Sequence, residues 1–319
     1  PTPTITPTPP PGSTPTPVPT ATAVPTPTPT PTPTPVPAPT ATPTPTPAPP
    51  DFVAVGRSGT ILTSPDGITW TSRTSGTCNN LEDVTYGGGI YVAVGDNNCG
   101  AGDSMVSIVT SSDAISWTPR SSEINKILQA IAYGNGQFVG VNEYGERLTS
   151  TDGINWALGS GGGFSVTYGN GQFVMGGTDV IFANGLFVQV GNNGSISTSG
   201  DGTNWVSRTS GTNGWLMGVT YGNDKFIAVG SRNNHPVNNS SASYTANILT
   251  SPDGTNWSLL TNSSFPGTVF MLREVTYGNG MFVAVGNSGE IWTSSDGTTW
   301  VSRSSGTSEA LFGVTCKNC

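Results

Sequence analysis

The first fifty residues of this chain contain no charged side chain and no aromatic ring, so nothing in them can form a core. Basic residues are scarce throughout: 11 Lys and Arg stand against 19 Asp and Glu, and they form no cluster. That deficit excludes nucleic acid and anionic membrane surfaces as expected partners, because both are held mainly by gathered positive charge. No apolar run approaches the ~18–20 residues of a spanning helix, so no membrane span is expected. The single histidine, His235, lies in the loop sequence SRNNHPVNNSSASY with no nucleophile motif near it, and it reads as a surface residue. Helical periodicity is missing too, which leaves β-structure as the means of burying the apolar residues of 51–319. The chain opens on Pro1, so no leader peptide is readable from it, and location is argued from other features.

What is present divides at residue 50. Residues 1–50 hold 22 of the 27 prolines and 17 threonines, while the whole formal charge of −8 lies in 51–319. Alternation such as PTPTPTPTPTPVP (25–37) cannot build a helix or a sheet ladder, since each proline fixes φ, lacks an N–H and pushes its predecessor towards extended backbone. The expected state is an extended polyproline-II stem. At about 3.1 Å per residue it reaches on the order of 150 Å. Threonines at every second position turn by roughly 240° about its axis, so their hydroxyls point to all sides of the rod. This is the composition of an O-glycosylated stalk. The acceptor candidates are Thr2, Thr4, Thr6, Thr8, Thr14, Thr16, Thr20, Thr22, Thr26, Thr28, Thr30, Thr32, Thr34, Thr40, Thr42, Thr44 and Thr46. The plainer alternative is an unmodified spacer between secreted domains.

Residues 51–319 are long enough for one closed repeat assembly, and they repeat. The clearest unit is VTYGNGMFVAVGNSGEIWTSSDGTTWVSRSSGT (275–307), and related hairpins begin at Val84, Ile131, Val166, Val180 and Val219. Asn-Gly between apolar runs predicts a tight hairpin, and a second hairpin turning at Asp-Gly follows. Two hairpins make a four-stranded unit. The second hairpin occurs six times, with Asp66, Asp113, Asp152, Asp201, Asp253 and Asp296 spaced 39 to 52 residues apart and Trp70, Trp117, Trp156, Trp205, Trp257 and Trp300 closing each copy. That spacing is a propeller-blade period. The first unit, DFVAVG (51–56), lacks the strand that should precede it, and GVT (313–315) near the C-terminus supplies that strand. A closed all-β propeller follows, with six blades favoured. The doubled segment VTYGNGQFVMGGTDVIFANGLFVQVG (166–191) is either a stunted seventh blade or an insertion within the fourth.

The copies TSPDGITW (63–70) and SSDGTTW (294–300) resemble the Asp-box (BNR) repeat of sialidases and sortilin-type receptors, whose pattern is Ser-x-Asp-x-Gly-x-Thr-Trp. The resemblance covers 51–319, with one departure: Gly directly follows Asp, so the turn is one residue shorter. Within the repeat, Asp and Ser or Thr can accept turn amides, Gly supplies positive φ, and Trp should pack between blades. Six equivalent copies read as structure, as do Arg73, Arg120, Arg208 and Arg303, each three residues after a Trp.

The resemblance implies a possible sialidase, which would need three clustered arginines and a Tyr–Glu pair. The remaining arginines, Arg57, Arg147, Arg232 and Arg273, carry no such signature. Glu143, Glu146 and Glu290 are the candidate acids of a two-carboxylate hydrolase. Asp96 and Asp103 in GDNNCGAGDS lack the spacing of a calcium loop, so no metal or cofactor is expected. Cys78 and Cys99 fall in loops on one face of the blade arrangement, so a disulfide between them is expected; Cys316 and Cys319 should pin the closing strand, within the chain or to a neighbour. Sequons at Asn193, Asn238, Asn239, Asn256 and Asn262 are mostly accidents of an Asn-, Ser- and Thr-rich chain. Trp215 and Trp292 lie outside the repeats and are the places to look for an exposed receptor patch.

The expected protein is therefore an extracellular or cell-surface glycoprotein of structural or adhesive function, without enzymatic activity. Residues 1–50 form its O-glycosylated stem, the spine of a self-associating fibre, and 51–319 its propeller head. The rival expectation is a carbohydrate-binding or glycosidase-like propeller tethered by a Pro/Thr linker in a secreted enzyme.

Overall fold

The structure, a computed structural model, describes residues 51–96, 99, 108–120, 127–142, 144–231, 246–260, 271–317 and 319, together with residues 4, 12, 17, 19, 20, 49 and 50. Apart from Thr4 and Thr20, the stem threonines lie outside the described residues, as do Asp103, Glu143, Arg232, His235 and the sequons at Asn238, Asn239 and Asn262. The chain divides into two units, Pro1–Thr46 and Pro47–Cys319. Pro50 is buried within the second unit. In the first unit the described residues are all exposed.

The second unit is built from β-hairpins whose turns match the sequence. At Asn135-Gly136, Asn170-Gly171, Asn184-Gly185 and Asn279-Gly280 both residues have positive φ, the geometry of the tight hairpin that follows strand twist. Blade one contains β1 (Phe52–Gly56), β2 (Ile61–Ser64) and β3 (Thr71–Arg73). Blade two has β4 (Leu81–Gly87), β5 (Ile90–Gly95), β6 (Ile108–Ser111) and β7 (Thr118–Arg120). Blade three has β8 (Ala130–Gly134), β9 (Gln137–Val141), β10 (Glu146–Ser150) and β11 (Ala157–Ser160). A lone hairpin follows, β12 (Val166–Gly169) and β13 (Gln172–Met175). Blade four has β14 (Asp179–Ala183), β15 (Leu186–Val190), β16 (Ile196–Ser199) and β17 (Val206–Arg208). Blade five has β18 (Trp215–Gly222), β19 (Lys225–Ser231), β20 (Ala246–Ser251) and β21 (Ser258–Leu259). Blade six has β22 (Leu272–Gly278), β23 (Met281–Gly286), β24 (Ile291–Ser294) and β25 (Val301–Arg303).

The last strand, β26 (Leu311–Cys316), pairs antiparallel with β1 and completes blade one, with Phe52 opposite Cys316 and Ala54 opposite Val314. The expected ring closure by residues 313–315 is therefore present. Six four-stranded blades result, as expected, and the first hairpin of the doubled segment stands as a two-stranded half-blade while its second hairpin opens blade four. The half-blade is not an insertion within blade four: β12 packs between the inner strands β8 and β14 and so holds a sector of its own.

The turns at the six repeated aspartates act as fasteners. In blade one, Asp66 Oδ1 accepts the amides of Ile68 at 2.8 Å and Thr69 at 2.9 Å, while Ser64 Oγ accepts the amide of Gly67 at 2.8 Å and donates to Asp66 at 3.0 Å. The carboxylate amide bonds recur at Asp113, Asp152, Asp201, Asp253 and Asp296. They hold these acids below the ordinary carboxylate range, the amides outweighing burial at Asp113, Asp152, Asp201, Asp253 and Asp296. The turn glycines then lie against the second strand of the preceding blade: a Cβ on Gly153 would sit 2.8 Å from Val92, and one on Gly297 2.8 Å from Ile227. Trp117 and Trp300 are buried and Trp70, Trp156, Trp205 and Trp257 half-buried at the same interfaces. The repeat arginines Arg73, Arg120, Arg208 and Arg303 each donate to a threonine of the adjacent strand, at 2.8–2.9 Å.

A second contact runs round the axis, where each inner strand ends in Tyr-Gly or its equivalent. The tyrosine of one unit lies flat on the glycine of the unit before it. A Cβ on Gly87 would fall 2.0 Å from Tyr133, on Gly134 2.0 Å from Tyr168, and on Gly222 2.0 Å from Tyr277. Phe182 takes the same place over Gly169, and Cys316 over Gly278. Blade four carries Ala183 beneath Tyr221, and blade one carries Lys317, whose Nζ lies 5.4 Å from the Tyr86 ring centre. Overpacking at such a contact costs on the order of 1–3 kcal/mol. Gly134→Ala is accordingly expected to lower the urea midpoint by an amount equivalent to about 2 kcal/mol or more, while Ala183→Gly, which deletes one methyl and forces nothing against a ring, changes it by less than about half as much.

Candidate functional site

Seven inner strands converge on the axis, and the residue just before the first valine or isoleucine of each inner-strand repeat faces it. In order these residues are Asp83, Ala130, Ser165, Asp179, Gly218, Glu274 and Gly313. No two of the large acids are neighbours, because adjacent inner strands approach too closely for two bulky side chains. A Cβ on Gly218 would lie 2.8 Å from Glu274 Oε1, and one on Gly313 3.1 Å from Asp83 Oδ1. The three acids share a mouth of about 120 Å³ with Glu82, Gln129, Phe164, Thr178, Met217, Arg273 and Phe312.

Most of the acid oxygens are committed to backbone. Asp83 Oδ1 accepts the amide of Val84 at 2.7 Å, and Oδ2 accepts that of Ile131, in the next blade, at 2.8 Å. Asp179 repeats the arrangement with Val180 at 2.7 Å and with Val219 of the next blade at 2.8 Å, and it takes a third bond from Ser165 Oγ at 3.0 Å. Glu274 accepts the amide of Val275 at 2.8 Å. These bonds tie neighbouring sectors together around the axis.

Burial dominates their titration. It lifts Asp83 to about 7 despite the two amides, with Asp179 and Glu82 adding repulsion. Asp179 is raised by burial as well, and Glu274 well above the usual range by burial and by the charges of Asp179 and Asp83. Glu82 is raised by burial and Asp96, against the pull of Arg273 and Arg57. Burial lowers Arg273, whose Nε donates to Asn287 Oδ1 at 2.7 Å and whose guanidinium lies 4.8 Å from the Phe312 ring centre. The mouth therefore gathers buried carboxyls whose pKa values are raised, beside the Arg273 guanidinium and the exposed ring of Phe164.

None of these axial acids was singled out in the sequence, although each stands at one fixed position of the repeat, directly before Val84, Val180 or Val275. Of the acids that the sequence suggests, the described ones, Glu146, Glu290 and Asp96, do not meet. Glu146 lies in blade three, where its Oε2 accepts from Asn142 at 3.0 Å; Glu290 lies in blade six beside Trp292, and blades one and two separate them. Asp96 accepts from Asn80 N at 3.0 Å and Nδ2 at 2.8 Å. Among the described residues no group of three or more His, Cys, Asp or Glu is arranged to hold a metal. Cys78 is bonded to Cys99 and Cys316 to Cys319, so the terminal pair lies within the chain. Trp292 is buried in the interface of blades five and six and Trp215 is half-buried, so neither forms an exposed receptor patch. At Asn256 the side-chain amide donates to Asp253 Oδ2 at 2.7 Å and to Thr255 Oγ1 at 3.1 Å, and glycosylation of this sequon would remove one of its two donor hydrogens.

Because folding raises the Asp83 pKa, the folded state holds an extra proton between the unfolded value, about 4, and the folded value near 7. Stability contributed by this site is full below about pH 4 and is lost as pH rises through 7. Urea unfolding at a series of pH values should show the wild type losing stability across this window relative to Asp83→Asn; parallel curves would refute the assignment.

No family model and no curated protein matches the chain. Solved structures do. One, described as the nidogen/laminin complex, is 11% identical over 84% of this chain and 99% of that one, with a TM-score of 0.54. Another, described as YCF48 bound to a D1 peptide, is 16% identical over 71% of this chain and 67% of that one, with a TM-score of 0.38. The likeness is one of fold: the chain carries a β-propeller of six four-stranded blades.

Proposed function

We propose that this chain is a non-catalytic adhesive or structural protein acting outside the cell, with a propeller head carried on an O-glycosylated Pro/Thr stem that packs with its copies into the spine of a surface fibre. The observation that carries the non-catalytic part is the use made of the axial acids. Asp83 and Asp179 spend both carboxylate oxygens on backbone amides of their own and the next blade, which is the work of a structural tie. The stem part rests on composition: 17 threonines among 22 prolines, free of charge and aromatic rings, favour an extended polyproline-II rod bearing hydroxyls on every side. Two disulfides within the head suit an oxidising compartment. The nidogen/laminin likeness adds that a head of this architecture suits protein partners.

A glycosidase-like or carbohydrate-binding reading has one observation in its favour, namely that several carboxyls with raised pKa meet at one mouth, with Asp83 at about 7. The two readings separate on Glu274, which accepts a single backbone amide and is the least committed of the three acids.

Intact mass of the natural protein is expected to exceed the bare 32.7 kDa by a large, heterogeneous amount, and proteolysis should place the excess in the stem fragment. A mass equal to the bare chain would remove the glycosylated stem from the reading. Hydrolysis of a panel of aryl glycosides that is abolished by Glu274→Gln, with folding intact, would replace the non-catalytic head by the glycosidase.

A further inference from the structure

The half-blade leaves an unfinished sheet. Its turn, Asn170-Gly171, has φ of 48° and 79°, so the flanking pair Gly169–Gln172 exchanges hydrogen bonds, and so does every second pair beyond it. The amide of Gly176 donates to Ser165 O at 3.2 Å, which fixes that phase. The N–H and C=O of Phe173 and Met175 therefore point away from β12. In blade four the equivalent residues Phe187 and Gln189 face the third strand, at Ser199 and Ser197. In the half-blade no third strand follows, because the chain turns through 176–178 directly into β14, and no bond to these outward groups is made among the described residues.

The neighbouring blade is altered at the matching place. Ile61, Ile108, Ile196 and Ile291 occupy one position on the third strand of their blades, each opposite an arginine of the fourth strand. Ile61 is buried against the next blade in a cluster that includes Ala93 and the third-strand residue Val109, which pair with each other. Blade three has Arg147 at this position and Gly159 opposite it. The arginine has thus moved from the fourth strand to the third and faces the sector where the third strand is missing. Its Nε is sealed from solvent without a hydrogen-bond partner.

We propose that the half-blade is completed by an extended strand of a partner protein, added antiparallel to β13 and bearing one carboxylate that meets Arg147. The register follows from the complete blades. Met175 stands where Ala93 stands in blade two, so the incoming residue opposite Met175 takes the place of Val109 and faces Arg147; this is the acidic position. The residue opposite Val174 takes the place of Thr110 and turns towards blade four. The chain's own third strands read ILTS, IVTS, ISTS and IWTS, so the matching partner sequence is I-E-T-S. Other occupants fit less well. The outer strands of blades three and four project about two strand spacings, roughly 10 Å, beyond β13, which keeps the β13 edges of two heads apart. The stem contains no acidic residue for Arg147.

The test uses the full chain and the blocked peptide SIETSG, with its Gln analogue SIQTSG and a form N-methylated at the glutamate amide. Millimolar SIETSG is expected to slow amide exchange at Phe173 and Met175 about tenfold, and the N-methylated form to have no effect. Arg147→Gln should weaken SIETSG about threefold or more while leaving SIQTSG unchanged, which separates the ion pair from any general change in the edge. Equal binding of the N-methylated peptide, or no slowing at these two amides, overturns the proposal. Protection present before peptide is added also overturns it: if it rises with protein concentration the occupant is a second copy, and if it does not, the chain's own stem.

Discussion

The head depends on the pairing of its last strand with its first. A propeller sector is stable only when both of its faces are covered, so an open chain of blades would leave two apolar faces and two unpaired strand edges in water. The bonds between β26 and β1 remove both at once, and they let Phe52, Ala54 and Leu62 join Val283, Val285 and Ile291 of blade six in one buried cluster. Most other interfaces repeat that contact: the Asp-Gly turn of a four-stranded blade lies on the second strand of the unit before it, and the inner aromatic ring lies on the preceding glycine, whereas the half-blade brings no such turn to blade three. Such contacts are cumulative around a circle, and closure makes each dependent on the rest.

Much of this was legible in the sequence because the signals are local. Asn-Gly and Asp-Gly turns state their own backbone geometry, and the six boxes state their spacing. Closure was legible for a different reason, since the strand missing before Asp51 reappears at 313–315. The half-blade was not decided by inspection, because VTYGNGQFVM is an ordinary first hairpin and its peculiarity lies in what fails to follow. Ala114 shows a similar limit. It holds a φ of 61° where five other boxes have glycine, so the box network and not the residue type sets that turn. The axial acids escaped notice because facing the axis is a property of seven strands converging, which no single repeat encodes.

Those acids show how a narrow channel constrains composition. Seven inner strands meeting on one axis leave no space for large side chains on neighbouring strands; the three acids are separated by small residues, and Asp83 and Asp179 answer backbone amides of the next sector. The same carboxylate chemistry has opposite consequences at the rim and at the axis. In the box turns, amides and exposure keep Asp152 and Asp253 charged; at the axis, burial outweighs the amides and favours the proton on Asp83 and Glu274. Location decides which effect wins.

The position of β1 has a mechanical consequence. It is an interior strand, bonded to β26 on one edge and to β2 on the other, and its first residue follows directly from the stem. The bonds continue one residue further, from Asp51 N to Ser64 O and from Lys317 N to Asp51 O. Tension directed along β1 would load both ladders in shear, so that their bonds share it and must fail together, whereas an edge strand would peel away one bond at a time. The propeller is thus joined to the chain that precedes it through the strand least able to unzip.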